Sequence, residues 1–119
     1  MRNILLTLFA FVCVLFPEQG HGQNGTVTLG LYCGDGGKSP VKQIQKAVRA
    51  LNAKDYPSAQ VYIGAALRVN EGDQHALYLK GEWAIRTGKF ELAEAHWKRL
   101  VKRCPGYKPD LLYQVGSLA

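Results

Sequence analysis

The stretch ALYLKGEWAIRTGKFELAEAHW (residues 76–97) falls, at an offset of 34 residues, on KQIQKAVRALNAKDYPSAQVYI (residues 42–63). Ala47, Ala50, Tyr56, Ala59, Ile63 and Ala66 land on Gly81, Ala84, Phe90, Ala93, Trp97 and Leu100. Small residues match small and large match large in all but the last pair. A repeat period in the mid-thirties is the mark of a helix-turn-helix solenoid. It also shifts the functional question from catalysis to recognition, because such arrays mostly present a surface to a partner.

Working outward, the apolar spacing predicts four helices. The first runs over Pro40–Ala53, with Ile44, Ala47, Val48 and Leu51 at the three-and-four spacing of one buried face. Ser39 before Pro40 reads as its hydroxyl cap. Asp55 caps the second, with Pro57 in its first turn, and Val61, Ala65 or Ala66, and Val69 continue the stripe. Residues 70–73 make a turn, and Asp73 caps a third helix whose buried candidates are Leu77, Gly81, Ala84 and Ile85. Gly88 ends it, where helices favour a glycine. The fourth helix spans Phe90–Arg103 and closes at Pro105-Gly106.

The rest of the chain lacks this period. Arg2 followed by apolar Ile4–Phe16, broken only by Thr7, and small residues around Gly20-His21-Gly22 read as a secretory signal over residues 1–22. That apolar run is shorter than the roughly 20 residues a spanning helix needs. Bulky Phe11 and Val12 argue against a lipoprotein cysteine at Cys13. Removing 1–22 takes away one cation (Arg2) and one anion (Glu18) and leaves the net charge at +6. The chain is thus exported and basic, suited to acidic proteins or an acidic envelope surface rather than nucleic acid. Residues 23–39 form a Gly-rich leader in which Thr26–Leu29 reads as a short strand. With the signal removed, Cys33 and Cys104 are an even pair able to close a disulfide in an oxidising compartment.

At the other end the motif restarts: Ala76-Leu77-Tyr78, Gly81 and Ala84 match Leu111-Leu112-Tyr113, Gly116 and Ala119 at an offset of 35. Residues 108–119 thus read as the first helix of an incomplete third repeat. Solenoids need about three repeats and a polar terminal cap, so this reads as the opening of a longer array. Exposed Leu112, Val115 and Leu118 on an uncapped helix imply self-association.

Leu77, Gly81, Ala84, Gly88, Phe90, Ala93, Trp97 and Pro105 stand at the signature spacing of tetratricopeptide repeats, and the chain resembles that family over residues 40–119. The resemblance implies an all-α fold of antiparallel helix-turn-helix repeats, a TPR-like α-solenoid of about two and a half repeats. Its repeats are 40–73 and 74–107, with Ala59, Gly81, Phe90, Ala93, Trp97 and Pro105 as signature packing residues. Lys46 and Lys80 depart from it, standing where leucine is usual; Gln43 replaces the Leu77 equivalent and Glu71 the Pro105 equivalent. More narrowly, the signal segment and Tyr107-Lys108-Pro109 leading into Leu112-Tyr113 and Gly116 are similar to the N-terminal repeats of Bacteroidetes-type envelope proteins that continue into OmpA-like domains. In the repeat family the first helix of each pair lines the concave face. That implies a groove of Ile44, Val48 and Leu51 beside Tyr78, Glu82 and Ile85, although several of these also suit hairpin packing.

Little else carries chemistry. Gly37-Lys38-Ser39 matches the end of a phosphate-binding loop, but Tyr32 replaces that motif's first glycine and Pro40 removes an N–H from the cradle. His75 and His96 lie on different helices without ligand spacing and read as solvated or edge residues, so no metal or other cofactor is expected. Asn24-Gly25-Thr26 is a glycosylation sequon that only a eukaryotic host would use. No nucleophile–base–acid set is present, and Glu91 and Glu94 are placed to pair with Lys98 and neighbouring bases. Lys98, Arg99, Lys102 and Arg103 form a basic cluster near a helix C-terminus, a solvated face or a contact for an acidic envelope partner. The leading expectation is a non-catalytic protein-interaction scaffold in the bacterial envelope, periplasmic or outer-membrane associated. The alternative is a structural segment whose repeats dock the protein's own downstream domains. A nucleotide-binding protein using the Gly37-Lys38-Ser39 loop is a remote third.

Overall fold

The computed structural model describes residues 25–34, 39–111 and 114–115. The expected signal segment 1–22 with Cys13, the sequon residue Asn24, Gly37-Lys38 of the loop motif, and Leu112, Tyr113, Gly116 and Leu118 lie outside them. The described residues form an all-α structure of four helices and no strand: α1 Val41–Asn52, α2 Tyr56–Val69, α3 Gln74–Arg86 and α4 Phe90–Arg103.

Helix starts follow the side chains that can satisfy free backbone N–H groups. The Asp55 carboxylate accepts from the Ser58 N–H (3.3 Å) and Asp73 accepts from the Ala76 N–H (2.9 Å), both in the three-residue capping geometry. Ser39 does not cap α1. Pro40 takes the cap position with no side-chain bond, and the Ser39 hydroxyl lies 3.3 Å from the Tyr32 hydroxyl instead.

The two tight turns repeat each other bond for bond. After α1, Lys54 N–H donates to Leu51 C=O (3.0 Å) and Asp55 N–H to Ala50 C=O (2.8 Å). After α3, Gly88 N–H donates to Ile85 C=O (3.1 Å) and Lys89 N–H to Ala84 C=O (2.7 Å). Every partner is displaced by 34 residues. Both turns need a left-handed residue, supplied by Gly88 at φ 78° and by Lys54 at φ 60°. The side chain of Lys54 makes that conformation costly.

Helix α1 packs along α2 and α3 along α4, while α3 also touches α1 and α2. Helix α3 is therefore covered on several sides, and Ala76, Leu77, Tyr78, Leu79, Gly81, Trp83 and Ala84 are all buried. At Gly81 a side chain of α4 lies directly against the α3 backbone. A methyl group there would overlap the Trp97 indole, whose Nε1–H donates to the Tyr78 carbonyl (3.2 Å). Trp83 joins the two helix pairs by donating from Nε1 to Tyr56 C=O (3.0 Å). Lys80 and Lys89 lie over its ring at 4.6 and 5.0 Å, and Lys46 lies over Tyr62 at 5.7 Å. Both unexpected lysines thus take positions where the ammonium faces an aromatic surface.

Several expectations are corrected. The buried face of α2 is Ala59, Ile63 and Ala66, leaving Val61 63% and Val69 41% exposed. Phe90 is 51% exposed rather than packed between helix pairs. Among the described residues it lies at the rim of α4, beside Gly88, Lys89 and Glu91. Thr26–Leu29 is not a strand: Val27 N–H bonds a side chain, Asn52 Oδ1 (2.8 Å), and no ladder forms. Beyond α4, helical hydrogen bonding resumes with Gln114 N–H to Asp110 C=O (3.1 Å). Leu111 there is buried, and Val115 packs partly against the core rather than standing exposed.

Two substitutions test these packing arguments in denaturant melts. Gly81→Ala should destabilise the chain by about 1–3 kcal/mol through overpacking against Trp97. Lys54→Gly should stabilise it by roughly 1 kcal/mol, because glycine adopts the left-handed turn without a Cβ penalty.

Candidate functional site

The leader, residues 25–34, is laid lengthwise on α3 in the direction opposite to the helix. At its start the Arg86 guanidinium, from the last turn of α3, donates to Gly25 C=O (2.8 Å). Val27 is buried, held through its N–H by Asn52 at the end of α1. Lys108 Nζ reaches Thr28 C=O and Oγ1 (3.4 Å each) and also the Tyr78 hydroxyl (3.1 Å). Gly30 lies against the Tyr107 carbonyl and ring, too close for any side chain, and Leu31 N–H donates to that carbonyl (3.3 Å). At the far end Gln74, in the first turn of α3, clasps Cys33 from both sides. Its Oε1 accepts from Cys33 N–H (2.8 Å) and its Nε2 donates to Cys33 C=O (3.2 Å). A disulfide then joins Cys33 to Cys104, just past α4, across a Cα–Cα distance of 5.5 Å.

An aromatic row runs beneath this strap. Trp97 and Tyr78 stack at 6.1 Å, Tyr78 and Tyr107 meet at 5.5 Å, Tyr107 and His75 at 5.6 Å, and His75 and Tyr32 at 4.1 Å. The polar edges are tied as well: Tyr32 O–H donates to Asp73 Oδ1 (2.8 Å), and His75 Nδ1 lies 2.7 Å from the Tyr107 hydroxyl. Burial pushes the Tyr32 phenol up to about 12, with the Ser39 contact opposing and the Asp73 carboxylate adding to the rise. Burial raises Tyr78 and Tyr107 further still. It holds His75 below the usual imidazole range, only partly offset by the Asp73 charge. His75 is therefore a half-buried member of the row, not a solvated edge residue.

The six expected groove residues divide. Ile44, Leu51 and Tyr78 are buried, Leu51 completely, so their side chains serve the core. Glu82 is half-buried, accepting from Tyr78 O–H (3.1 Å) and pairing with Arg86 (3.3 Å), the residue that holds Gly25. Val48 and Ile44, with Leu29, Gln45 and Arg49, line an open hollow of about 470 Å³ between α1 and the leader. Ile85 packs half-buried against the core. Asn52 and Gln74 stand four residues from Val48 and Tyr78, on the same helix faces as the groove candidates, but no pattern in the sequence pairs them with the leader, and Tyr107 and Lys108 lie beyond the periodic helices.

The basic cluster is split. All four residues are exposed, but Lys98 pairs with Glu94 (2.9 Å) and Arg103 donates to Gly72 C=O (3.0 Å). His96 is held below its usual range by burial and then by Lys80 and Arg99. Among the described residues no three His, Cys, Asp or Glu side chains gather as a metal site, and no helix is long and apolar enough to cross a membrane. Comparison with protein-family profiles, curated proteins and solved structures found no match.

Because His75 and His96 both have depressed pKa values in the folded state, their contribution to stability is present above about pH 6.5 and lost as pH falls. Urea melts should therefore weaken between pH 7.5 and 5.5. The drop should shrink in His75→Gln and shrink further when His96→Gln is added. An NMR titration should place both imidazole midpoints below 6.5.

Proposed function

We propose that the chain is a non-catalytic protein-interaction module of the bacterial cell envelope, its helix pairs acting as tetratricopeptide-like repeats that present a trough to an extended partner segment. The observation that carries this reading is the leader itself: ten residues lie along α3, anchored at Asn52, Gln74, Arg86 and the Tyr107 carbonyl. A surface that orders one extended segment has the donors, acceptors and apolar seats that another segment needs. This is recognition of a peptide by side chains that reach its backbone. The bond-for-bond repetition of the two turns supports the repeat reading, as does Gly81 under Trp97. Export is supported by the signal-like N-terminus and by the Cys33–Cys104 disulfide, a bond that persists in oxidising compartments.

The test is retention from an envelope extract on the immobilised full chain. A partner should be held by the chain, oxidised or with its disulfide reduced, and lost at least tenfold with Glu82→Lys, which reverses the charge facing Arg86 and Tyr78. Phe90→Asp, on the far rim of α4, should leave retention unchanged. Equal loss with both variants, or no retained protein, would contradict the reading.

A further inference from the structure

The trough is not open; the chain's own leader fills it. Residues 25–34 bond the Tyr107 carbonyl directly and are tied to Tyr78 and Glu82 through Lys108 and Arg86. Yet the leader's non-covalent hold is thin for its length. Val27 is its one buried apolar side chain, whereas Leu31 is 82% exposed and Leu29 and Tyr32 are each 37% exposed. Ordering ten residues costs backbone entropy at every one of them. A single apolar side chain and scattered hydrogen bonds offset that poorly, since each such bond replaces one to water. The contact that changes the balance is the Cys33–Cys104 bond, which fixes the leader's far end to the segment after α4. The chain already tethers Cys33 eight residues before α1, and the disulfide narrows that reach to one point, raising the leader's effective concentration over α3.

We infer that residues 25–34 are a displaceable strap occupying the chain's own recognition trough, and that the Cys33–Cys104 disulfide is its latch. This rests on the proposed function for what the trough is for, but not for the strap's behaviour. Cys33 is half-buried and Cys104 fully buried, so Cys33 is the more accessible side of the bond for an attacking thiolate. The reductant is a dithiol. Its thiolate attacks Cys33 Sγ, breaking the Sγ–Sγ bond and releasing Cys104 as a thiolate that takes up a proton. The dithiol's second sulfur then displaces Cys33, which leaves as a thiolate and is protonated. The dithiol departs as a cyclic disulfide, so two electrons and two protons pass to the pair. With the latch open, the trough admits an extended segment of the leader's own chemistry. That segment carries a β-branched residue for the Val27 seat, a glycine against the Tyr107 carbonyl and a hydroxyl donor for Asp73.

Hydrogen exchange on the full chain tests this directly. It compares oxidised protein, protein reduced with a small dithiol, and the Cys33→Ser variant. The amides of Val27, Leu31 and Cys33 (or of the serine replacing it) should exchange at least tenfold faster in the two unlatched forms, with α2 and α4 unchanged. A fluorescent peptide of residues 25–34 with serine for Cys33 should bind the unlatched forms at least tenfold more tightly than the oxidised protein. Unchanged leader protection would overturn the proposal, and so would loosening of α2 and α4 together with the leader, which would make the bond a general staple. Release of the leader with peptide binding, but without any envelope partner retained, would uphold the strap and count against the proposed function.

Discussion

The seating of the Trp97 indole on Gly81 is the contact from which the rest of this structure follows. A residue without a Cβ lets α4 approach α3 until the indole lies on the helix backbone and reaches the Tyr78 carbonyl. That position sets the plane of Tyr78, which is nearly parallel to the indole at 14°. Tyr78 in turn supports Tyr107, Tyr107 meets His75, and His75 lies against Tyr32 of the leader. The crossing of two helices is thereby transmitted through packed rings to a segment with no helical character of its own. Close-packed interiors transmit such displacements because side chains have little free volume to absorb them.

The polar groups beneath the leader suit both a covered and an uncovered surface. Asp73 is 2% exposed, and a buried carboxylate without donors is costly. One of its oxygens caps α3 through Ala76 N–H, and the other accepts from Tyr32 O–H. Gln74 is likewise buried and finds both of its partners on Cys33. Removing the leader would return these groups to water, which can satisfy them. The surface is thus compatible with an occupied and an open state, whereas a trough floored only with apolar residues would tolerate exposure less well.

Most of the helical framework was legible because it rests on local rules. Asp55 and Asp73 cap where short acceptors ought to, Gly88 ends α3 in the left-handed region, and α4 runs from Phe90 to Arg103 as the apolar spacing requires. The misreadings share a cause in tertiary context. Ser39 has the right chemistry to cap α1 but is drawn toward Tyr32, a residue seven positions away. Val61 and Val69 fit a helical stripe as well as Ile63 does, and only the positions of α1 and α3 decide which face is covered. The leader was the least readable part. Its hold comes from contacts 25 to 80 residues distant, which leave no period in the sequence. Of the site, Tyr78 and Glu82 were identified in advance, while Asn52, Gln74 and Lys108 emerge only once the leader's path is known. Arg86 links Glu82, Leu51 C=O and Gly25 C=O, a set of contacts that no sequence pattern marks.

The central claim is that an irregular leader is registered on α3 through the aromatic row. Nuclear Overhauser contacts in the oxidised full chain measure this most directly. The account predicts cross-peaks between the Tyr32 and His75 rings, and between the Val27 amide proton and the Asn52 side chain, alongside the Trp97 indole contacts to Gly81. A leader with random-coil shifts and no contacts to His75 or Asn52, in a protein whose Trp97–Gly81 contacts are intact, would contradict it.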